Sequence, residues 1–222
     1  MRIGTWNVAN RVMTTGHRDL LLGQNCDVWL LTELNRKWLD GENRIDQYHC
    51  HLSAGIQGRI KGSNQLIAAV LGHAPLIPLD DPHPASAAAV VDNITYCSTV
   101  LPWRSASGEP WSGSNHSEKT EVAIATLLKA LPRSNLVWGG DWNHSLVGKE
   151  HSGSMGGRNC LLGAIKSLGL QVPTDSLLHR NDISKSIDHI GVPAHWRVTS
   201  ARRIDAKGLS DHDAYVVETP GN

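Results

Sequence analysis

Carboxylates, carboxamides and a histidine stand at the ends of apolar, strand-like runs along this 222-residue sequence. The residues with this placement are Asn7, Glu33, Asp141, Asn143, Asp188, Asp211 and His212. Strand ends and the loops beside them are where a rigid sheet presents polar groups to a ligand. A carboxylate within or directly after an apolar run is unfavourable to bury unless it is paired or binds a metal. The set therefore predicts one polar site assembled from distant parts of the chain.

Each of these residues, taken singly, also has a simpler structural interpretation. Asn7 is compatible with a turn, Glu33 with a cap for the segment after it, and residues 141–143 with an Asx-turn. Asp188 could pair with a core arginine or with His189. For isolated residues these interpretations are the more frequent ones, and only the set as a whole favours chemistry.

The elements that must position this site are apolar runs typical of strands and a few amphipathic runs typical of helices. Strands are predicted at residues 2–8, 27–32, 66–71, 87–91, 93–101, 135–139, 186–192, 198–204 and 213–218. Helices are predicted at 18–24, at 117–131 with Ser117 as its cap, and at 158–168 with Gly169 as its stop. Long loops are predicted at 53–64, 73–84, 105–116 and 145–157. Because strands outnumber helices and no linker divides the chain, we expect a single domain over residues 1–222, with two packed mixed sheets and helices outside them.

Composition restricts the kind of protein and its partners. Lys and Arg together number 21, as do Asp and Glu, so the net charge is zero and any polyanion must be bound through a local patch. The apolar runs are far shorter than the ~18 residues of a membrane span. No apolar signal segment is visible at the N-terminus, and we expect a cytoplasmic monomer without a membrane span. The four cysteines stand singly, which disfavours a redox or zinc-finger site.

Five short motifs resemble those of the endonuclease/exonuclease/phosphatase superfamily, which has the DNase I-like fold. They are TWNV at 5–8, LTEL at 31–34, GGDWN at 139–143, IDHI at 187–190 and SDH at 210–212. The motifs follow the family's order and span nearly the whole chain. The resemblance implies a four-layer α/β sandwich, with two packed mixed β-sheets flanked by helices, that hydrolyses phosphate esters. It leaves the substrate open, because the superfamily cleaves DNA, RNA, phosphoinositides and sphingolipids on one scaffold.

The resemblance also implies a metal site. Glu33 matches the main ligand of a divalent ion, with Asn7 beside it and Asp211 near the ion. Carboxylate and amide oxygens suit Mg²⁺ or Mn²⁺, which retain several waters and accept a substrate phosphate as a further ligand. We therefore expect Mg²⁺ or Mn²⁺ as the cofactor.

The remaining matched residues are implied to act on the phosphate. Asp141 matches the residue that orients or deprotonates the attacking water, and Asn143 matches the amide that steadies the phosphate. His212 matches the histidine that contacts the scissile phosphate, and Asp188 matches the carboxylate that holds its ring in one tautomer. Asn7 is expected among the catalytic residues as well. The sequence leaves open whether Asp141 or His212 is the general base.

Two positions depart from the family's pattern. Ala9 stands where an acid often follows the first asparagine motif, and Val100 stands where nuclease members usually carry Tyr or His. We expect Tyr96 or Arg104 to contact substrate instead. His144, which directly follows the GGDWN motif, is expected to contact substrate too, with a solvated loop histidine as the alternative. The departures disfavour abasic-site repair but leave the general chemistry intact.

We therefore predict a divalent-metal-dependent phosphoesterase, most simply a nuclease that hydrolyses phosphodiester bonds in nucleic acid. One alternative is a phosphatase or phosphodiesterase acting on a small phosphorylated metabolite or a lipid headgroup, which the neutral charge supports. A second alternative is a non-catalytic binding domain that retains the fold. A zinc enzyme, suggested by the twelve histidines, is the weakest option because no histidine pair has HExxH spacing.

Overall fold

Two β-sheets packed face to face form the centre of the computed structural model, which describes residues 1–55, 66–180 and 182–220. In chain order the strands are β1 (Arg2–Asn7), β2 (Val28–Thr32), β3 (Arg44–Ile45), β4 (Tyr48–Leu52), β5 (Ala69–Gly72), β6 (Ile77–Pro78), β7 (Ser86–Val91), β8 (Ile94–Thr99), β9 (Leu136–Asp141), β10 (Leu170–Gln171), β11 (Asp188–Pro193), β12 (Ser200–Ile204) and β13 (Ala214–Glu218). Within the described residues, the first sheet has the order β12-β13-β1-β2-β5-β4-β3 and the second has the order β10-β11-β9-β8-β7-β6. Both sheets are mixed, because β1 and β2 run parallel, as do β8 and β9, while the other pairs are antiparallel.

Helices cover the outer faces of the two sheets. They are α1 (Thr15–Gly23), α2 (His116–Ala130) and α3 (Met155–Ser167), and a 3₁₀ turn spans Arg36–Trp38. The first helix and the 3₁₀ turn pack on the first sheet, and α2 and α3 pack on the second. The order of layers is therefore helix, sheet, sheet, helix, which confirms the predicted four-layer α/β sandwich.

Side-chain alternation along the strands separates the apolar residues into three layers. On β2, Val28 and Leu30 point into the layer between the sheets, whereas Trp29 and Leu31 point outward under α1. This follows from the two-residue period of a strand, which sends successive side chains to opposite faces. Both faces of the strand are apolar because both are covered, which is why the sequence reads as a continuous apolar run.

The helices begin earlier than the sequence predicts, because their caps lie upstream of the apolar stripes. Asn115, and not Ser117, caps α2: its side-chain oxygen accepts the N–H of Glu118 at 3.1 Å. Ser154 caps α3 in the same way, one turn before the predicted start. Gly169 follows α3 with φ +64°, as expected of a helix stop.

The sequence also missed the short strands β3, β4, β6 and β10. Three of them have two residues, which is too short for an alternating pattern to be visible. Most of the predicted loop at residues 53–64 lies outside the described residues. Within the described part of the chain, no helix is both long and apolar enough to cross a membrane.

Candidate active site

Strand ends from both sheets meet at one edge of the sandwich and carry the candidate residues. Asn7 and Glu33 leave the first sheet at the same edge because β1 and β2 run parallel. In the second sheet, Asp141 ends β9 and lies opposite Asp188, which begins the antiparallel strand β11. His212 enters from the same edge because it precedes β13, the antiparallel neighbour of β1. The topology thus brings together residues separated by some two hundred positions.

The side chain of Asn7 connects the carboxylates of the two sheets. Its NH₂ group donates to Glu33 Oε1 at 3.0 Å and to Asp141 Oδ2 at 2.9 Å. Its oxygen accepts the N–H of Ala9 at 2.8 Å, and this contact fixes the amide orientation because an N–H needs an acceptor. In this orientation the oxygen faces the backbone and the NH₂ group faces the acids. The expected role of Asn7 as a metal ligand stays a prediction.

His212 is held by a carboxylate and by the backbone around it. Its Nδ1 lies 2.7 Å from Asp188 Oδ2, and its backbone N–H donates to Ser210 Oγ at 3.1 Å. The same hydroxyl donates to the backbone oxygen of Asn7 at 2.7 Å, which links this loop to β1. Burial lowers the pKa of His212, but the negative charges of Asp188 and its neighbours outweigh burial and raise the pKa to about 10. The ring therefore carries a proton at neutral pH.

The acids of the site are buried beside one another. Burial, followed by repulsion from Asp188, raises the pKa of Asp141 to about 7. Burial also raises the pKa of Glu33, although the hydrogen bond from Asn7 opposes the shift. Asp211 lies exposed within electrostatic reach of Glu33 and raises the pKa of Glu33 further. Both shifts are caused first by burial, and the negative charges of neighbouring acids add to them.

These residues fit a divalent cation. Ligand atoms of Asp141, Asp188 and His212 lie within 4.8 Å of one another, and Glu33 joins them through Asn7. Asp188 Oδ1 is buried and, among the described residues, has no hydrogen-bond partner. Apart from the imidazole of His212, the candidate ligand atoms are carboxylate oxygens, which are the ligands that Mg²⁺ and Mn²⁺ prefer. A divalent ion here would neutralise the excess negative charge.

Two residues at the site hold an unusual backbone conformation. Glu33 and Asn143 have φ values of +52° and +51°, a region that non-glycine residues rarely adopt and that is enriched at functional sites. The backbone N–H of Asn143 donates to Asp141 Oδ1 at 3.0 Å, so both oxygens of Asp141 accept a hydrogen bond. The side-chain NH₂ of Asn143 donates to the oxygen of Leu101 at 2.9 Å. Asn143 therefore orients Asp141, and the phosphate contact expected of it stays a prediction.

Arg104 contacts the loop that follows Asn143. Its guanidinium donates to the backbone oxygen of Gly153 through Nε at 3.1 Å and through Nη2 at 2.7 Å. These two hydrogen bonds hold the loop in place, because Gly153 belongs to it. The expected contact of Arg104 with substrate stays a prediction.

Two of the residues expected to contact substrate are buried. Tyr96 is 1% exposed, points into the layer between the sheets and donates its hydroxyl hydrogen to Met1 Sδ at 3.1 Å. His144 is fully buried, with its Nδ1 2.7 Å from the oxygen of Trp142 and its ring 5.0 Å from that of His116. Strand register directs Tyr96 into the layer between the sheets, and packing near α2 and α3 encloses His144. Their expected contact with substrate stays a prediction.

The sequence did not reveal a histidine that lies against His212. The ring of His179 is 5.5 Å from the ring of His212 and nearly perpendicular to it, and the ring of His151 lies 6.2 Å beyond. Both come from loops. Nothing in the local sequence distinguishes His179 from a solvated histidine, so only the fold places it at the site.

Comparison with known proteins identifies the fold. No protein-family model matches the sequence, and no curated protein does. An AP endonuclease from Archaeoglobus fulgidus is 15% identical over the whole of both chains, with a TM-score of 0.73. The 3′–5′ exonuclease NExo from Neisseria meningitidis is 19% identical over the whole of both chains, with a TM-score of 0.70, and a second structure describes NExo as a 3′ phosphatase bound to a product DNA hairpin.

An endonuclease/exonuclease/phosphatase protein from Beutenbergia cavernae is 14% identical, with a TM-score of 0.67. The match covers 98% of this chain and 70% of that protein. All these matches extend over nearly the whole of this chain. The resemblance carried by the five motifs is thereby confirmed at the level of the fold: this chain has the DNase I-like fold of the endonuclease/exonuclease/phosphatase superfamily.

Proposed function

We propose that this protein is a divalent-metal-dependent phosphoesterase that hydrolyses phosphodiester bonds in nucleic acid. The observation that carries the proposal is the convergence of Asn7, Glu33 and Asp141 beside the hydrogen-bonded pair of His212 and Asp188. Attack of water on a phosphodiester requires an oriented water, compensation of charge on the phosphoryl oxygens and stabilisation of the leaving oxygen. The residues at this edge of the sandwich have the chemistry for each requirement.

Glu33 and Asp211 would hold Mg²⁺ or Mn²⁺, with Asp141 alongside. The bound ion would polarise a phosphoryl oxygen as a Lewis acid. Asn7 supports this arrangement by donating to Glu33 and Asp141 at once, which holds the two carboxylates of different sheets at a fixed separation.

His212 is suited to bind a non-bridging phosphate oxygen. Its Nδ1 is occupied by Asp188, so Nε2 is the nitrogen available to donate to substrate. The protonated ring contributes positive charge next to the phosphate as negative charge develops. Asp188 fixes the ring orientation, as the carboxylate does in other acid–histidine pairs.

Asp141 is better placed than His212 to act as the general base. Its two oxygens accept hydrogen bonds from Asn7 and from the backbone of Asn143, so the carboxylate is held in one orientation. A carboxylate held in this way can accept a proton from a neighbouring water in a fixed geometry. His212 is already protonated and is instead a donor.

Hydrolysis of a phosphomonoester is the second candidate activity. The same residues serve it, and the neutral net charge of the chain does not favour tight binding to long nucleic acids. NExo, with the same fold, is described as a 3′ phosphatase. A 3′-phosphorylated DNA end or a small phosphorylated metabolite would then be the substrate.

Cytoplasmic location and a monomeric state stay predictions from the sequence.

The test is turnover of defined phosphate esters by the purified protein. The substrates are a single-stranded oligonucleotide, a duplex, a 3′-phosphorylated hairpin and an inositol phosphate, each with Mg²⁺, Mn²⁺ or EDTA. We expect metal-dependent cleavage of an oligonucleotide that falls by about 10²-fold or more in His212→Gln. His195→Gln, at an exposed position before β12, is the matched control and should keep the parental rate. Equal rates in His212→Gln and the parent, or no turnover of any ester, would contradict the proposal.

A further inference from the structure

A pocket of about 410 Å³ lies between two loops on the His212 side of the site. Its lining residues are Gly148, Lys149, His151, Ile183, Ser184 and Lys185. The first three belong to the loop between β9 and α3, and the others belong to the loop before β11. We call this cavity the lateral pocket.

Two aromatic contacts connect the lateral pocket to the site. The ring of His151, which lines the pocket, lies 6.2 Å from the ring of His179, and that ring lies 5.5 Å from the ring of His212. The pocket is therefore a neighbour of the group proposed to hold the scissile phosphate. A polymer bound at His212 would extend past it, whereas an isolated phosphate ester would not.

The lateral pocket carries positive charge. Two lysines line it, and none of the lining residues that the structure describes is an acid. Three acids lie in the two loops. Asp175 does not line the pocket, and the other two, Glu150 and Asp182, face arginines outside it. Glu150 lies 3.4 Å from the Nε of Arg158, and Asp182 lies 2.5 Å from Arg203. The chain as a whole has no net charge, so this is a local cationic patch of the kind that a polyanion requires.

An apolar side chain stands among these cations. Ile183 is 87% exposed on the wall of the pocket, next in the chain to Ser184 and Lys185. A nucleotide unit presents both a phosphate and an apolar sugar and base face, so it complements this combination. Inorganic phosphate complements only the charged part.

We propose that the lateral pocket binds the nucleotide unit adjacent to the scissile phosphate, with that unit's phosphate on Lys149 and Lys185 and its sugar or base against Ile183. This inference rests on the proposed function and specifies its substrate class. The pocket makes the enzyme prefer a polynucleotide over an isolated phosphate ester. His151 is on the wall of the pocket that faces His179, whose ring lies next to that of His212.

Binding of a fluorescent single-stranded oligonucleotide, measured by anisotropy in EDTA so that no cleavage occurs, tests the pocket directly. We expect the double variant Lys149→Gln/Lys185→Gln to bind about tenfold more weakly than the parent. We also expect its plot of log affinity against log salt to be shallower by about 0.7 for each phosphate that the variant no longer neutralises. Lys129→Gln/Lys166→Gln, with exposed lysines on α2 and α3, removes the same charge elsewhere and should change neither value.

A kinetic comparison separates this inference from the proposed function. The double variant should lose kcat/KM on the oligonucleotide but retain it on bis(4-nitrophenyl) phosphate, a diester without a neighbouring phosphate. Lys149→Gln alone repeats the test without disturbing the hydrogen bond from Lys185 Nζ to the oxygen of Ser176 at 2.7 Å. Unchanged affinity and salt slope in both variants would overturn the inference. A parent that binds through these lysines but cleaves neither substrate would instead overturn the proposed function.

Discussion

His212 and Asp188 form a hydrogen-bonded pair that joins the two sheets at the site. The Nδ1 of His212, which precedes a strand of the first sheet, lies 2.7 Å from Oδ2 of Asp188, which begins a strand of the second. Asp188 is fully buried and stands in register opposite Asp141. The pair therefore fixes the orientation of the imidazole relative to the acid proposed to activate water.

Asp188→Asn tests this pair. The asparagine has the same shape but no charge, so the protonated ring loses its counter-charge. We expect kcat for ester hydrolysis to fall by about 10³-fold with little change in KM, since the substitution leaves the binding surface in place. Steady-state kinetics measures both values. Asp19→Asn, at an exposed position on α1, is the control, and a parental kcat in Asp188→Asn would show that the pair does not serve catalysis.

Gly140 precedes Asp141 and allows two strands to approach closely. It has φ +122°, and a Cβ atom there would clash with the backbone oxygen of Thr99. We expect Gly140→Ala to reduce the free energy of unfolding by at least about 2 kcal/mol, because the neighbouring strand must move. Urea denaturation measures the change. Gly163→Ala on α3 is the control, since a Cβ atom meets nothing within 4 Å there, and it should stabilise by about 0.5–1 kcal/mol. A Gly140→Ala protein as stable as the parent would contradict this account of the strand contact.

Glu150 holds the loop that follows Asn143. One oxygen accepts the N–H groups of His151, Ser152 and Gly153 at 2.9–3.0 Å, and the other faces the buried Arg158 at 3.4 Å. Glu150→Gln leaves that arginine without a counter-charge, and we expect a loss of about 3 kcal/mol of unfolding free energy. Chemical denaturation of this variant beside Glu42→Gln, an exposed control, provides the measurement. A difference below about 1 kcal/mol would mean that the pair does not hold the loop.

Because two histidines are buried in the neutral form, we expect the free energy of unfolding to fall in mild acid. Burial lowers the pKa of His83 and of His189 to about 4, from the usual 6.5. The unfolded chain therefore takes up protons below about pH 6.5 that the folded chain does not accept until about pH 4. The contribution of each neutral histidine to the free energy of unfolding is fully present above this window. It is lost as the pH falls through the window, by up to about 1.4 kcal/mol per pH unit for each histidine. In His83→Gln the slope of unfolding free energy against pH, from urea titrations between about pH 7 and 5, should be smaller by roughly 1 kcal/mol per pH unit, because the unfolded histidine is only partly protonated over this range. An unchanged slope would contradict the burial of a neutral His83.

The sequence predicts the positions of the long strands and of the acids at their ends. Trp29 and Leu31 lie in an apolar run that ends at Glu33, and the pattern is visible because both faces of that strand are covered. Asp141 stands out in the same way after its own run. These signals are local, so a single sequence is sufficient to show them.

The contacts between the strand ends are not local. The resemblance implied the pairing of Asp188 with His212, but the local sequence does not show how the other side chains at the site are oriented. The orientation of the Asn7 amide depends on the N–H of Ala9, which turns the donors towards the acids. The positions of Tyr96 and His144 depend on strand register and on helix packing, and both side chains are enclosed. His179 reaches His212 only because a loop folds back over the edge of the sheet.

The central claim is that carboxylates from two sheets form a site for a divalent cation, and calorimetric titration with Mg²⁺ and Mn²⁺ tests it most directly. We expect the parent protein to bind the metal, and Glu121→Gln, a substitution at an exposed position on α2, to bind it equally well. We expect Glu33→Gln to bind it at least about tenfold more weakly. Circular dichroism should show that all three proteins are folded. Equal metal affinity in Glu33→Gln and the parent, or no metal binding by the folded parent, would contradict the account.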